Sequence, residues 1–279
     1  KIVSRHDVDV IICDINNKDA LDNKNKYIRF IEAISKLKTV LVSFEDFLIH
    51  DVCSDVVIIP YFGAEKIEIG TKKDKYLLGL KYFVARNEFL MYGKNKINQN
   101  VKNIFISMGG TDTNRLTEKI INTISKISKK IHLNIVSGPF SDLDYDYIEN
   151  TTSNSGLKFK IYESPENISE IMHSSDVGIV SSGLTQYEAS IMGLPTIVIS
   201  LNGYHQKIVN EFSKINSIIS FGVFNDKREE ALKEVLINIM QGYDSRKDMS
   251  ANGQNYLDGN GVKRIIEFIN EKIEREIVV

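Results

Sequence analysis

Short apolar runs alternate with amphipathic stretches along the whole chain, and this alternation constrains the fold more than any single motif. Val8–Cys13 (VDVIIC) reads as a buried strand closed by Asp14. Ala20–Leu37 carries Ile28, Ile31 and Ile34 near helical spacing and is a predicted helix. Thr39–Phe44 and Ser54–Pro60 (SDVVIIP) are two further strands, rich in β-branched residues. Tyr92–Asn100 (YGKNKINQN) has no apolar period and is the expected linker, dividing the chain into residues 1–95 and 96–279. Beyond it, strands are predicted at Val101–Ser107, Ile131–Val136, Leu157–Tyr162, Val177–Val180 and Thr196–Ser200. Helices are predicted at Leu116–Ile127, Ile168–His173, the stretch after Ser182, Lys207–Ile215, Arg228–Met240 and Gly261–Lys272. Such alternation belongs to α/β proteins with doubly wound parallel sheets. No solenoid period is present.

Composition narrows the classes. The chain has 279 residues, 42% hydrophobic and 26% charged, enough for packed cores and room for about two domains. A formal net charge of -2, without a block of Lys and Arg, argues against a nucleic-acid partner. Lys72, Lys73 and Lys75 are expected on a solvated surface. The two cysteines, Cys13 and Cys53, have no CxxC spacing, so a structural zinc site is not expected, and Cys13 reads as a small core residue. No apolar run approaches the ~18 residues of a membrane span. With no secretory signal at the start, the expected location is the cytoplasm.

Three stretches that follow strands carry chemistry. Ser107–Asp112 (SMGGTD) pairs two glycines, which let backbone N–H groups approach an anion. The same residues also suit a tight turn with Asp112 as a helix cap. Ser181–Glu188 (SSGLTQYE) sets Ser182 and Gly183 at a strand's carboxyl end, where α/β crevices lie. Glu188 follows inside the next helix, and a carboxylate can accept both hydroxyls of a ribose diol. Helix capping by the serines and a solvated Glu188 is the alternative. Asn202–Gln206 (NGYHQ) places more donors and acceptors after a strand, although a lone His such as His205 in a loop is more often structural.

Taken in order, GGTD, SSG-x-x-x-x-E-A-x-x-x-G-x-P-x-I-x-I and HQ resemble the nucleotide-binding half of GT-B-fold sugar-nucleotide enzymes. Among these is the N-acetylglucosaminyltransferase of peptidoglycan synthesis. VDVIICD, GLKYFVARNEF (Gly79–Phe89) and LDGNGVKRI bring the chain nearer to the UDP-sugar hydrolase of pseudaminic acid biosynthesis and its spore coat polysaccharide relatives. The resemblance runs from Asp7 to about Ile265. It implies two Rossmann-type lobes with parallel sheets and a UDP-sugar or related nucleotide sugar as partner, with no cofactor and no metal. It implies that Gly109, Gly110 and Thr111 line an inter-domain cleft near the diphosphate. Ser182 and Gly183 would meet the diphosphate, and Glu188 the ribose. Gln206, with His205 beside it, would reach the sugar or phosphate. Arg86 and Glu88 would lie in the segment entering the second domain.

Two departures shape the functional expectation. The family's G-x-G-H-x-x-R loop, whose His is proposed to activate water, has no counterpart here, and Asp14 is followed by Ile15 and Asn16 rather than by a Tyr two residues on. With three predicted strands before the linker, the amino-terminal lobe is expected to be truncated and the chain to be part of a longer protein. Such a chain should bind a UDP-sugar yet hydrolyse it feebly. Of His6, His50, His132, His173 and His205, only His205 follows a strand of the expected cleft and is the candidate base. The leading expectation is UDP-sugar hydrolysis in surface polysaccharide or nonulosonic acid biosynthesis. A glycosyltransferase, and a non-catalytic module that binds nucleotide sugars, are the alternatives. An epimerase ranks lower, because its Arg after the G-x-P strand is replaced by ISLN.

Overall fold

The computed structural model describes residues 8–14, 24–37, 39–44, 54–69, 73–92, 95–112, 114–127 and 130–277. Cys53, Lys72, His6, His50, Ile15 and Asn16 lie outside the described residues. In chain order the main elements are β1 (Val10–Asp14), α1 (Lys24–Ile34), β2 (Val40–Phe44), β3 (Val56–Ile59), β4 (Tyr76–Leu78) and α2 (Glu88–Met91). Then come β5 (Asn103–Ser107), α3 (Leu116–Ser125), β6 (His132–Ser137), α4 (Tyr145–Ser155), β7 (Lys158–Glu163), α5 (Ile168–His173) and β8 (Val177–Ser181). Last are α6 (Thr185–Met192), β9 (Thr196–Ser200), α7 (Gly203–Ser213), β10 (Ile218–Val223), α8 (Glu229–Gln241), α9 (Tyr243–Tyr256) and α10 (Gly261–Ile277).

The chain forms two compact units, Lys1–Val84 with Gly259–Val279, and Ala85–Asp258. The first holds a four-stranded sheet in the order β1-β2-β3-β4, every pair parallel. Its core joins Val40, Val42, Val56, Ile58 and Leu77 to Ile265 and Ile269 of α10. That packing places α10 in the amino-terminal unit, although it follows the other in sequence. The division thus differs from the one expected at residues 95 and 96. An amphipathic helix goes wherever its apolar stripe finds a sheet face, and sequence order does not specify which face. Cys13 is buried, as expected, and burial pushes its thiol up from the ordinary range. Lys75 departs from expectation: it is 6% exposed, with its ammonium over the Tyr76 ring.

The second unit holds six parallel strands in the order β10-β9-β8-β5-β6-β7. Ile104, Ile106, Leu133, Ile135, Val177, Ile179, Ile197 and Ile199 are fully buried, which is why these strands read as unbroken apolar runs. The strand order reverses direction between β5 and β8. Chain leaving β5 winds toward β6 and β7, and β8 to β10 build the other half. The crevice of such a sheet opens at that reversal, beyond the strands' carboxyl ends.

Five elements escaped the sequence patterns, among them α2, whose four residues are too few to show a helical period. β4 has three residues, below the length at which alternation is visible, and brings the first sheet to four strands among the described residues rather than three. The second half of α4, Asn150–Ser155, consists of Asn, Thr and Ser, poor helix formers. The helix forms because Asp144 accepts from the Tyr147 N–H at 2.9 Å, Gly156 closes it at φ 73°, and Ile148 and Thr152 are buried. β10 carries an irregularity at Ser220–Gly222, with Gly222 at φ 84°, which breaks its period. α9 is polar and anchored by Arg246, a fully buried side chain. The Arg246 guanidinium donates to the carbonyls of Ile239 (2.6 Å), Met240 (2.8 Å), Asn98 (2.8 Å) and Gln99 (3.0 Å).

Candidate functional site

β5, β8 and β9 are neighbours, so the three loops singled out in the sequence leave one edge of one sheet side by side. After β5 the chain turns at Gly109, whose φ of 81° suits glycine. A Cβ on Gly109 would lie 3.2 Å from Ser181 Oγ, so this turn touches the end of β8. Gly138, just past β6, backs the same turn. A Cβ there would stand 2.3 Å from the Gly109 carbonyl oxygen and 2.6 Å from Gly110 Cα. The Phe140 N–H donates to the Gly110 carbonyl at 2.9 Å. Space beside Gly110 is open, with no atom within 4 Å of where its Cβ would be.

Asp112 is the cap its second reading anticipated. Its carboxylate accepts from the N–H groups of Leu116 (2.9 Å) and Thr117 (3.2 Å) and is 7% exposed. Asp112, Asn114 and Arg115 all have positive φ, a run that non-glycine residues rarely adopt.

The loop after β8 is arranged differently. The Ser182 N–H donates to the Ile199 carbonyl, and its hydroxyl accepts from the Leu201 N–H at 3.1 Å. Ser182 therefore ties β8 to β9 instead of capping α6. No side chain caps that helix, and the N–H groups of Gly183, Leu184, Thr185 and Gln186 find no acceptor among the described residues. Gly183 likewise has nothing within 4 Å of its Cβ position. Unpaired N–H groups at a helix start, next to a residue without a side chain, form a partial positive charge open to an anion.

Glu188 lies in the first turn of α6 and is 6% exposed. Its Oε1 accepts from Arg86 Nε at 3.1 Å. Arg86 Nη1 also meets Glu88 Oε1 at 2.8 Å, and its guanidinium sits 4.8 Å from the centre of the Phe89 ring. Glu88 Oε2 in turn accepts from the Ser169 N–H at the start of α5 (3.3 Å). Burial raises the Glu188 carboxyl above the usual carboxylate range; Arg86 pulls it down, and Glu88 pushes it up.

His205 and Gln206 belong to the first turn of α7 rather than to a loop, because Asn202 caps that helix by accepting from the His205 N–H at 3.0 Å. Gln206 is turned to the outer strand, its amide nitrogen 3.0 Å from the Cβ position of Gly222 in β10. Gln186 Oε1, Ser200 Oγ and His205 Nδ1 are buried without partners among the described residues. Ser200 ends β9, Gln186 lies on the helix after β8 and His205 on the helix after β9, and buried polar atoms normally find partners. No cluster of three His, Cys, Asp or Glu side chains converges as metal ligands among the described residues. No described helix is long and apolar enough to cross a membrane.

Sequence reasoning missed Gly138 and the Arg86–Glu188 pair. Gly138 could have been found from S-G-P-F after a strand, a turn signal. The ion pair joins residues 102 positions apart and leaves no local signal.

No family model matches the chain. The protein MJ1062 of Methanocaldococcus jannaschii, of uncharacterized function, is 30% identical over 171 residues, 58% of this chain and 35% of its own length. The spore coat polysaccharide biosynthesis protein SpsG of Bacillus subtilis is 21% identical over 237 residues, 85% of this chain and 68% of its own. The chain thus spans about a third of the length of one relative and about two thirds of the other. Among solved structures, Acinetobacter baumannii MurG matches with a TM-score of 0.64 at 11% identity, covering 92% of this chain and 81% of that one. The UDP-GlcNAc 2-epimerase of Neisseria meningitidis, solved with UDP-GlcNAc bound, matches with a TM-score of 0.61 at 15% identity, covering 96% and 76%. Identities this low speak to fold alone: the chain has two parallel-sheet α/β lobes matching those of GT-B-like transferases and epimerases.

Proposed function

We propose that the carboxyl-terminal lobe binds a UDP-sugar at the edge formed by β5, β8 and β9. The uncapped start of α6, where the N–H groups of Gly183, Leu184, Thr185 and Gln186 have no acceptor among the described residues, carries this reading. A diphosphate is the ligand that best uses several backbone donors and a helix dipole together. Open space at Gly110 and Gly183 lets phosphate oxygens reach the backbone. Glu188, in the first turn of the same helix, supplies a carboxylate for the ribose hydroxyls. The bound UDP-GlcNAc of the Neisseria epimerase, on the same fold, supports the choice of nucleotide sugar. The likeness to SpsG supports a place in polysaccharide biosynthesis.

The reaction that fits such a site breaks the bond between the anomeric carbon and the β-phosphate oxygen. UDP leaves with the electron pair, and α6 and the neighbouring N–H groups stabilise its growing charge. We assign water as the nucleophile, following the resemblance carried by GLKYFVARNEF. Its proton passes to a base, for which His205, in the first turn of the helix after β9 and with an Nδ1 unpartnered among the described residues, is the candidate. Transfer to an acceptor hydroxyl differs only in the nucleophile.

Calorimetry with UDP, CMP and GDP, followed by a UDP-release assay on UDP-GlcNAc with and without added acceptors, tests the proposal. Binding of UDP over the other nucleotides is expected. Equal or absent binding of all three refutes the site, and UDP release only with an acceptor replaces hydrolysis by transfer.

A further inference from the structure

Glu188 does not stand alone on the candidate edge. One carboxylate oxygen accepts from Arg86 Nε, and Arg86 is its only side-chain partner among the described residues. Arg86 is itself held from two further sides, by Glu88 at 2.8 Å and by the Phe89 ring beneath it. Glu88 is fixed by the Ser169 N–H. A bond through Nε rather than a two-pronged grip engages only Oε1 and leaves Oε2 without a partner among the described residues. The burial is asymmetric too: the side chain of Glu188 is 8% exposed, whereas that of Arg86 is 49% exposed.

We propose that Arg86 is a positioning residue for the ribose-binding carboxylate: it takes one oxygen of Glu188, keeps the group ionised, and leaves the other oxygen for the diol. The inference rests on the nucleotide reading above and adds to it the group that makes a buried Glu usable. A neutral carboxylic acid has one acceptor oxygen fewer and binds a diol weakly, so ionisation decides the function.

The charges that act on Glu188 are few. Burial favours its neutral form, Glu88 opposes its ionisation, and Arg86 is the cation that favours it. β8 and β9, which flank α6, carry no charged residue. α9 faces the end of α6 with Ser250, Gly253 and Gln254. On α5, Glu170 is exposed, and His173 is paired with Asn95 at 2.7 Å. Arg246 on α9 is occupied by four carbonyls. Removing Arg86 therefore leaves burial and Glu88 unopposed.

The test compares wild type, Arg86→Gln and Arg86→Lys. In the free protein, the Glu188 carboxyl is titrated by carbon NMR. Its midpoint is expected at higher pH in Arg86→Gln and near wild type in Arg86→Lys, and an unchanged midpoint in both overturns the pairing. Calorimetry then reads affinity for UDP and for 2′,3′-dideoxy-UDP at pH 6 and pH 8. Between pH 8 and pH 6, Arg86→Gln should lose about tenfold more UDP affinity than wild type does, and this extra loss should be absent for the dideoxy nucleotide. An equal loss at both pH values and for both nucleotides marks Arg86 as a support of the fold only, and overturns the proposal. A wild-type chain that binds no UDP at all refutes the nucleotide reading and the diol assignment together; the free-protein titration separates that result from failure of the ion pair.

Discussion

Three glycines at one sheet edge separate stability from binding. In the free protein a methyl group at Gly110 or Gly183 meets no atom within 4 Å, and neither glycine needs a left-handed backbone. Gly→Ala at such a position restricts the unfolded chain and should stabilise by about 0.4–1 kcal/mol. In the proposed complex the same methyl occupies the space through which a phosphate oxygen reaches the N–H groups of α6. Losing one charge-assisted hydrogen bond costs roughly 1.5–3 kcal/mol, about one to two decades in Kd. Gly138→Ala is the contrasting case. Its Cβ would stand 2.3 Å from the Gly109 carbonyl oxygen, so backbone must move. Overpacking of this kind costs about 1–3 kcal/mol, or a Tm drop of roughly 2–12 °C in a chain of this size. Calorimetric melting and UDP titration of the three variants are the assay. Gly110→Ala and Gly183→Ala should melt at or above wild type while binding UDP at least tenfold more weakly. Wild-type UDP affinity in both would refute the placement of the diphosphate, and a stable Gly138→Ala would refute the packing of the turn.

Glu188→Gln should weaken UDP binding by about one to two decades, read by calorimetry. It should also stabilise the fold. Because the Glu188 carboxyl is raised in the folded state, its ionisation opposes folding. That penalty is absent below the ordinary carboxylate range and grows as pH rises through it toward the folded-state value. Thermal melts at pH 4 and pH 7 should show the gain of Glu188→Gln at pH 7 alone. Asp112→Ala removes two hydrogen bonds at the start of α3 and should cost about 0.5–2 kcal/mol in urea unfolding, with Asp112→Asn milder. His205→Ala should lower the rate of UDP release about 10²–10⁴-fold with little change in UDP affinity if His205 is the base. An unchanged rate removes it from the chemistry.

Much of the architecture was legible because parallel strands are buried on both faces. Runs such as NIFIS, VGIVS and TIVIS therefore stand out at once, and the ends of β5, β8 and β9 agree with the apolar runs to within a residue. The loops worth inspecting followed from the same pattern, because ligands of α/β sheets gather where strands end. β4, α2, α4, β10 and α9 were not legible. The first two, of three and four residues, are too short for a period. Of the others, α4 is closed by caps within its own segment, β10 has an irregular edge, and α9 hangs on the Arg246 anchor, which reaches Asn98 148 positions away.

By itself the sequence determined the α/β class, the parallel character of the strands and the three stretches with chemistry to offer. Hydrophobic period and turn residues are local properties, written within a few positions. Only the tertiary structure decided that β5 and β8 are neighbours, so that Gly109 meets Ser181, and that Arg86 reaches Glu188. It also directed Gln206 to Gly222, bound Ser182 to β9 and placed α10 on the first sheet. Strand order and ion pairing are relations between distant segments, set by which apolar faces and charges meet after collapse, and no local pattern encodes them.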